Sequence, residues 1–119
     1  MTYSQNQMII MKTTDYIAQH YQDSIPLSKL LQIANMPKSY YLRLFRQYIG
    51  TTPHNYLLSL HITKAKECLE ITNMTIHEIA CILGFTDDAA FSNCFRAAVK
   101  TSPFQYHRKN AITKQQIQQ

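Results

Sequence analysis

The chain has 119 residues, of which 45% are hydrophobic, and its 12 lysines and arginines outnumber 7 acidic residues to give a formal charge of +5. This size fits one globular domain with a buried core, and the cationic surplus favours an anionic partner such as nucleic acid, although many small domains are as basic. Only Gly50 and Gly84 are glycines, which argues against a hairpin-rich sheet and a glycine-rich phosphate loop.

The first four helices are predicted from apolar residues at helical spacing and from the residues that interrupt them. A first helix should end in the turn-like stretch 22–24, a short second helix should cover 27–34, and a third should cover 38–49. Pro53 begins a long fourth helix that runs to about Ile71. The spacing that predicts the first helix is that of Ile10, Thr14, Ile17 and Tyr21.

Three further helices are predicted in the second half of the chain. Thr75, with Glu78 three residues later, has the pattern of a capping box and begins a fifth helix that stops at Gly84. A sixth helix should run from about Asp87 to Val99, and a seventh opens at Ser102 and Pro103. The fold class is therefore expected to be all-α, with seven helices and no strand.

The two halves repeat each other at an offset of about 50 residues. Each copy has a short apolar helix, a turn, a second helix with a central phenylalanine, and a Thr-Pro or Ser-Pro restart, which together predict a helix-turn-helix. The matched pairs are Leu27 and Ile76, Leu30 and Ile79, Asn35 and Gly84, Tyr41 and Phe91, Phe45 and Phe95, Arg46 and Arg96, Pro53 and Pro103, and Tyr56 and Tyr106.

The second helix of each copy divides into an apolar and a polar face. The apolar stripes, expected to face the core, are Tyr41, Leu44, Phe45 and Tyr48 in the first copy and Phe91, Cys94, Phe95 and Ala98 in the second. The outward stripes are Ser39, Leu42, Arg43 and Arg46, with Lys38 and Tyr40 at the rim, and Ala89, Ser92, Asn93 and Arg96. Arginine and asparagine can bond guanine and adenine edges bidentately in the major groove. A solvated face is the ordinary alternative for a single helix, but duplication favours DNA reading.

The helix between the two copies has a length suited to a tandem reader. Residues 54–71 would span about 27 Å at the standard helical rise. Successive major grooves on one face of DNA lie about 34 Å apart. A single chain could therefore present two recognition helices to adjacent grooves without dimerising.

Two stretches resemble the DNA-binding domain of the AraC/XylS family of transcription regulators. Residues 37–46, followed by 48–50 and 52–53, look like the first reader of that family. Residues 75–108 are similar to its signature, with Ile79, Ala80, Gly84, Phe85, Phe91, Phe95, Pro103 and Tyr106 at the signature positions. The resemblance covers about residues 8–109.

The resemblance implies a tandem helix-turn-helix domain over 8–109, with a first reader at about 27–49, a linker helix at about 53–71, a second reader at about 75–99, and a flexible polar tail at 110–119. It further implies a cytoplasmic bacterial regulator of double-stranded DNA, usually an activator that contacts RNA polymerase. Carried over by position, the implied base-facing residues are Ser39, Leu42 and Arg43 in the first groove and Asp88, Ala89, Ser92 and Asn93 in the second. The whole candidate interface comprises Lys38, Ser39, Tyr40, Leu42, Arg43 and Arg46, with Thr86, Asp88, Ala89, Ser92, Asn93 and Arg96.

This chain departs from the family pattern at four positions. Leu42 stands where a polar or small residue is common, Asn35 replaces a turn glycine, and Lys100 and His107 replace the usual Gly and Arg. These departures bear on base preference rather than on the fold.

The two readers are predicted to be unequal, with the first carrying most of the specificity. Its stripe holds two arginines, whereas the second has Asp88 at its entrance, where a carboxylate could accept from cytosine but would be repelled by phosphate. The alternative is that Asp87 or Asp88 caps the sixth helix. The cations expected to divide between bases and phosphates are Lys38, Arg43, Arg46, Lys64, Arg96 and Lys100.

Other functional classes find less support in the sequence. Cys68, Cys81 and Cys94 form no CxxC pair and leave an odd thiol, so reduced thiols are expected, with Cys81 and Cys94 as small core residues. The five histidines form no metal-ligand set, so neither a metal nor a cofactor is predicted, and no paired carboxylates or nucleophile motif indicates an enzyme. No apolar run suggests a membrane span. The remaining alternative is an interaction module of the same fold that contacts RNA polymerase or another regulator and binds DNA weakly.

Overall fold

Seven helices account for most of residues 3–109, the part of the chain that this computed structural model describes. No strand occurs in that part, so the all-α, seven-helix prediction is confirmed. The predicted tail at 110–119 lies outside the described residues. The helices are α1 Gln5–Gln19, α2 Leu27–Ala34, α3 Lys38–Ile49, α4 Pro53–Ile71, α5 Ile76–Ile82, α6 Asp88–Val99 and α7 at 103–109.

The chain divides into two compact units, the first ending at Leu60 and the second beginning at His61. In the first unit, α1, α2 and α3 enclose a core in which Tyr41 and Phe45 are fully buried. Their partners are Ile10, Ile17, Leu30, Ala34 and Leu44. Burial of this apolar stripe fixes the rotation of α3 and therefore decides which side chains it exposes.

The first helix differs from its predicted pattern. It begins at Gln5, where the Ser4 hydroxyl accepts from the Gln7 amide, and it ends before Tyr21. Its buried polar residue is Thr13, whereas Thr14 is only half-buried. The Thr13 hydroxyl donates to the Ile10 carbonyl and accepts from the Tyr41 hydroxyl at 3.0 Å, so both of its hydrogen-bonding functions are met within the core.

In the second unit α5 packs against α6, and the C-terminal part of α4 contributes Ile62, Ala65 and Leu69 to the buried side chains. Phe91 and Phe95 of α6 are fully buried, as Tyr41 and Phe45 are in the first unit. The inner stripe of α6 is shorter than predicted, because Ala98 is exposed and Cys94 only half-buried.

The aromatic side chains confirm the internal repeat. Tyr41, Phe45 and Tyr56 follow one another with ring centroids 5.8 and 6.0 Å apart. In the second unit Phe91, Phe95 and Tyr106 do the same at 5.9 and 5.5 Å. In both units the last contact is edge-on, the geometry that aromatic pairs favour. The helices α3 and α6 thus pack through the same arrangement of three aromatic rings.

The repeat also extends to the turns, where the backbone takes left-handed conformations. Asn35 and Gly84 lie in the helix-turn-helix turns with φ of 54° and 83°. Asparagine tolerates this region better than most residues, which explains how Asn35 can replace a glycine. Gly50 and Lys100 end α3 and α6 with φ of 91° and 71°, and each donates its amide to an arginine carbonyl one turn earlier. Lys100 adopts a conformation that glycine takes at lower cost.

Candidate nucleic-acid interface

The outward face of α3 presents four of the six predicted residues to solvent. Lys38, Ser39, Arg43 and Arg46 are exposed, because the helix turns its opposite face into the core of the first unit. Pro37 precedes the helix without a side-chain cap, so the first-turn amides have no side-chain partner from the N-cap position. A helix N-terminus of this kind favours negative charge nearby.

Arg43 does not extend freely from α3. Its guanidinium carbon lies 5.3 Å from the centroid of the Tyr40 ring, within the range of a cation–π contact. The Tyr40 hydroxyl accepts from the Asn6 amide nitrogen at 3.0 Å, and the ring packs against the core cluster. Tyr40 is therefore half-buried and supports Arg43 from the side. The sequence does not predict this role of Asn6, which lies on α1, because no local pattern links Asn6 to Tyr40, 34 residues away.

Leu42 is the least exposed member of the predicted outward stripe of α3. It is half-buried and packs against the core cluster of the first unit. Its side chain lines an apolar cavity of about 360 Å³ with Ile17, Leu30 and Leu57 among the other walls. Part of the Leu42 side chain thus packs against the protein, and the rest is open to solvent.

The outward face of α6 is smaller and less charged. Ala89, Asn93 and Arg96 are exposed, Ser92 is half-buried, and Thr86 is exposed in the turn before the helix. Within the helices, α3 carries three cations and no acidic residue, whereas α6 carries Arg96 and Asp88 alone. The contrast is the electrostatic basis for expecting unequal readers.

The two aspartates at the start of α6 have different roles. Asp87 is the N-cap residue, and its carboxylate accepts from the Ala90 amide at 2.7 Å. Asp88 does not cap the helix; its Oδ1 lies 2.8 Å from Nδ1 of His77 on α5. The sequence predicted that either Asp87 or Asp88 caps α6, and the structure shows that the N-cap residue is Asp87. Asp88 is held by a histidine that the sequence reading did not single out.

The capping box predicted at the start of α5 is confirmed. The Thr75 hydroxyl accepts from the Glu78 amide, and the Glu78 carboxylate accepts from the Thr75 amide. The prediction that Cys81 is a core residue is wrong, because α5 buries Ile79 and Ala80 and leaves Cys81 exposed on another face. The Cys81 sulfur lies 3.6 Å from Nε2 of His77, one helical turn earlier.

Residues 3–109 contain neither a metal-ligand cluster nor a helix suited to a membrane. No group of three or more histidine, cysteine or acidic side chains there is arranged to hold a metal ion. None of the described helices is both long enough and apolar enough to span a membrane.

Comparison with known proteins identifies the family. A family model described as a helix-turn-helix domain matches residues 30–109. The probable transcriptional regulator LumQ of Photobacterium leiognathi is 32% identical over 92 residues, which are 77% of this chain and 37% of LumQ. The chain thus spans little more than a third of that curated relative.

Solved structures agree with the sequence relatives. The C-terminal domain of AraT, a response regulator from Geobacillus stearothermophilus, is 30% identical with a TM-score of 0.82, and the match covers 89% of this chain and 88% of that domain. The DNA-binding domain of the transcriptional factor AdpA, solved with a target DNA, shares the fold at a TM-score of 0.84 and 22% identity, covering 90% of this chain and 96% of that one. The chain belongs to the AraC-type helix-turn-helix family of DNA-binding transcription regulators.

Proposed function

We propose that this domain binds specific sequences in double-stranded DNA through two unequal recognition helices, α3 and α6, that enter successive major grooves. In this proposal residues 27–49 form the first reader, α4 is the linker, and residues 75–99 form the second reader. The observation that carries it is the repeated three-ring anchor, because it leaves exposed polar residues at matching positions of both helices. The solved AdpA domain, of the same fold, holds a target DNA, which supports duplex DNA as the ligand.

The exposed side chains suit a division between bases and phosphates. Arg43, supported by Tyr40, can form two parallel hydrogen bonds to guanine, and Asn93 can do the same with adenine. Ser39 and Ser92 are not at matching positions, since Ser39 matches Ala89 and Ser92 matches Leu42, but each hydroxyl can donate to or accept from either kind of base. Lys38, Arg46, Arg96 and Lys100 are exposed cations at the ends or edges of the two helices and are assigned to phosphates.

The regulatory outcome is a further part of the proposal. Family resemblance supports transcription activation in the bacterial cytoplasm, with RNA polymerase as the protein partner. The weakly charged face of α6 supports a second role for that helix, since Ala89 and Asn93 could contact a protein as readily as DNA. In that alternative the chain is an interaction module that binds DNA weakly.

Selection from a random duplex library tests the proposal directly. The 119-residue chain should enrich a bipartite motif whose two halves are centred about one helical turn, roughly 10 base pairs, apart. Replacing Ser39, Arg43 and Arg46 by alanine should abolish one half of the motif, and replacing Asn93 and Arg96 should weaken the other. Failure to enrich any sequence would reject specific DNA binding and favour the interaction module.

A further inference from the structure

Three exposed side chains at the junction of α5 and α6 form an array of successive contacts, and one of them, Asp88, belongs to the candidate interface. His77 lies between the other two, with its Nε2 atom 3.6 Å from the Cys81 sulfur and its Nδ1 atom 2.8 Å from Asp88 Oδ1. The side chains of His77 and Asp88 are 72% and 52% exposed, and Cys81 is also exposed. A nucleophile, a base and a carboxylate thus lie in series at the protein surface.

The order of the three groups determines what the array can do. Asp88 is the acceptor for the Nδ1 proton of His77, which leaves the Nε2 lone pair directed at the Cys81 thiol. The imidazole can therefore accept the thiol proton, and the carboxylate stabilises the imidazolium that forms. Because the thiolate is the reactive form of cysteine, a base in contact with an exposed thiol favours its reaction.

The other two cysteines have the opposite environment. Burial raises the pKa of the Cys68 thiol, and the charge of Glu67 raises it further. Burial alone raises the pKa of the Cys94 thiol. Both side chains are half-buried, and burial opposes the ionisation of their thiols. Cys68 and Cys94 therefore serve as internal controls for the reactivity of Cys81, which has a base beside it.

We propose that Cys81 is a site of reversible modification by small disulfides such as oxidised glutathione. The Cys81 thiolate attacks one sulfur of the small disulfide, whose sulfur–sulfur bond breaks as the bond to Cys81 forms. The departing thiolate takes the proton from the His77 imidazolium, which restores the neutral imidazole. One half of the small disulfide leaves as a free thiol and the other half is joined to Cys81 in a mixed disulfide, so Cys81 is oxidised as the departing half is reduced. Attack by a second free thiol on the mixed disulfide reverses the step.

An adduct on Cys81 should weaken DNA binding, an expectation that rests on the proposed function. Asp88 is the first residue of α6, and Cys81 is joined to it through a single histidine. A glutathione adduct would place a bulky group with net negative charge at the entrance of the second reader. Steric exclusion and phosphate repulsion should then weaken binding to the second half of the site.

The modification is tested by following each cysteine of the full chain by mass spectrometry after addition of oxidised glutathione at neutral pH. Cys81 should form its adduct faster than Cys68 and Cys94, and His77→Gln should slow Cys81 by about a hundredfold, the lower end of the range for loss of a general base. Asp88→Asn should slow it by a smaller factor. His54→Gln, which changes an exposed histidine of the first unit, is the matched control and should leave the rate unchanged.

Exposure alone would also make Cys81 react before the other two, so the two variants decide the interpretation. If Cys81 reacts at the same rate in His77→Gln as in the unaltered chain, the array does not activate the thiol and the proposal is overturned. The same conclusion follows if Cys68 or Cys94 reacts as fast as Cys81.

DNA affinity is measured separately, on a selected duplex, for the unmodified chain, the Cys81 adduct and Cys81→Ser. The adduct should bind at least several-fold more weakly, and Cys81→Ser should bind normally and be insensitive to oxidised glutathione. An adduct that binds DNA normally would overturn the regulatory consequence. An unmodified chain that fails to bind any selected duplex would count against the proposed function, while the cysteine rates would still decide the modification site.

Discussion

Arg43 lies over the ring of Tyr40, and the Tyr40 hydroxyl is held by Asn6. The guanidinium therefore has fewer conformations to lose on binding than an unsupported surface arginine. In α6 Asn93 matches Arg43, and Ala90 matches Tyr40. Asn93 therefore has no aromatic ring at the position that supports Arg43. The two readers differ in preorganisation as well as in charge.

Replacing Arg43 by alanine should reduce DNA affinity by about 1–3 kcal/mol and relax preference at one or two base pairs, whereas Asn93→Ala should cost less. The measurement is binding to a panel of single base-pair substitutions across a selected site. Lys12→Ala removes an exposed cation from α1 and is the control for charge alone. A larger loss from Asn93→Ala than from Arg43→Ala would show that the second helix is the stronger reader.

Tyr41 predicts a pH dependence of stability. Burial raises the pKa of its phenol above 10.0, and the hydrogen bond to Thr13 offsets this only in part. The phenol of the unfolded chain therefore ionises first, so the free energy of unfolding should fall as pH rises past about 10, with a slope of up to about 1.4 kcal/mol per pH unit. Tyr41→Phe should lose about 1 kcal/mol at neutral pH and show a shallower alkaline decline.

Urea unfolding between pH 8 and pH 11 measures this difference. Tyr3→Phe, at a tyrosine that is 54% exposed, is the matched control and should keep the slope of the unaltered chain. Equal slopes for Tyr41→Phe and the unaltered chain would mean that the Tyr41 phenol ionises as readily in the folded protein as in the unfolded one.

At the scale of a helix, the N-cap of α6 separates the roles of two adjacent aspartates. Asp87→Ala should lower the free energy of unfolding by about 1 kcal/mol, because the Ala90 amide loses its acceptor. Asp88→Ala should change it by less than about 0.5 kcal/mol, since the exposed contact between Asp88 and His77 contributes little. Thermal or urea unfolding of both variants decides the assignment, which fails if Asp88→Ala is the more destabilising.

The buried phenylalanines test whether both recognition helices depend on the same anchor. Phe45 and Phe95 are each 0% exposed, so Phe45→Ala and Phe95→Ala should each cost about 3–5 kcal/mol in unfolding free energy. Phe104, which is 61% exposed on α7, is the control, and its replacement by alanine should cost about 0.5 kcal/mol or less. A small loss at either buried position would show that the corresponding helix is held by other contacts.

At the scale of the whole molecule, the net charge of +5 makes DNA affinity depend on salt. If four of the candidate cations neutralise phosphates, the logarithm of affinity should fall with the logarithm of salt at a slope of about −3.6, which is on the order of a hundredfold between 50 and 200 mM. Titration of one selected duplex at several salt concentrations measures the slope. A slope near zero would remove phosphate contacts as the basis of binding and favour the interaction module.

Helix positions and the repeat could be predicted from the sequence because their causes are local. The bounds of α2 and α3 agree with the predicted 27–34 and 38–49, since apolar periodicity and the residues at the helix ends determine them. The capping box of Thr75 and Glu78 involves two residues three positions apart, so the sequence could predict it as well. The repeated aromatic positions predict which face of α3 and of α6 is buried, and therefore which face carries the candidate site.

Tertiary structure decided the features that depend on side chains from separate helices. Thr13 rather than Thr14 is buried because its hydroxyl meets Tyr41, 28 residues away. The hydrogen bond from Asn6 to Tyr40 and the contact of His77 with Asp88 likewise join side chains of separate helices, which the periodicity of one helix does not specify. A pattern along one helix determines which face is buried, but only the packing of that helix against others determines which polar atoms come within hydrogen-bonding distance.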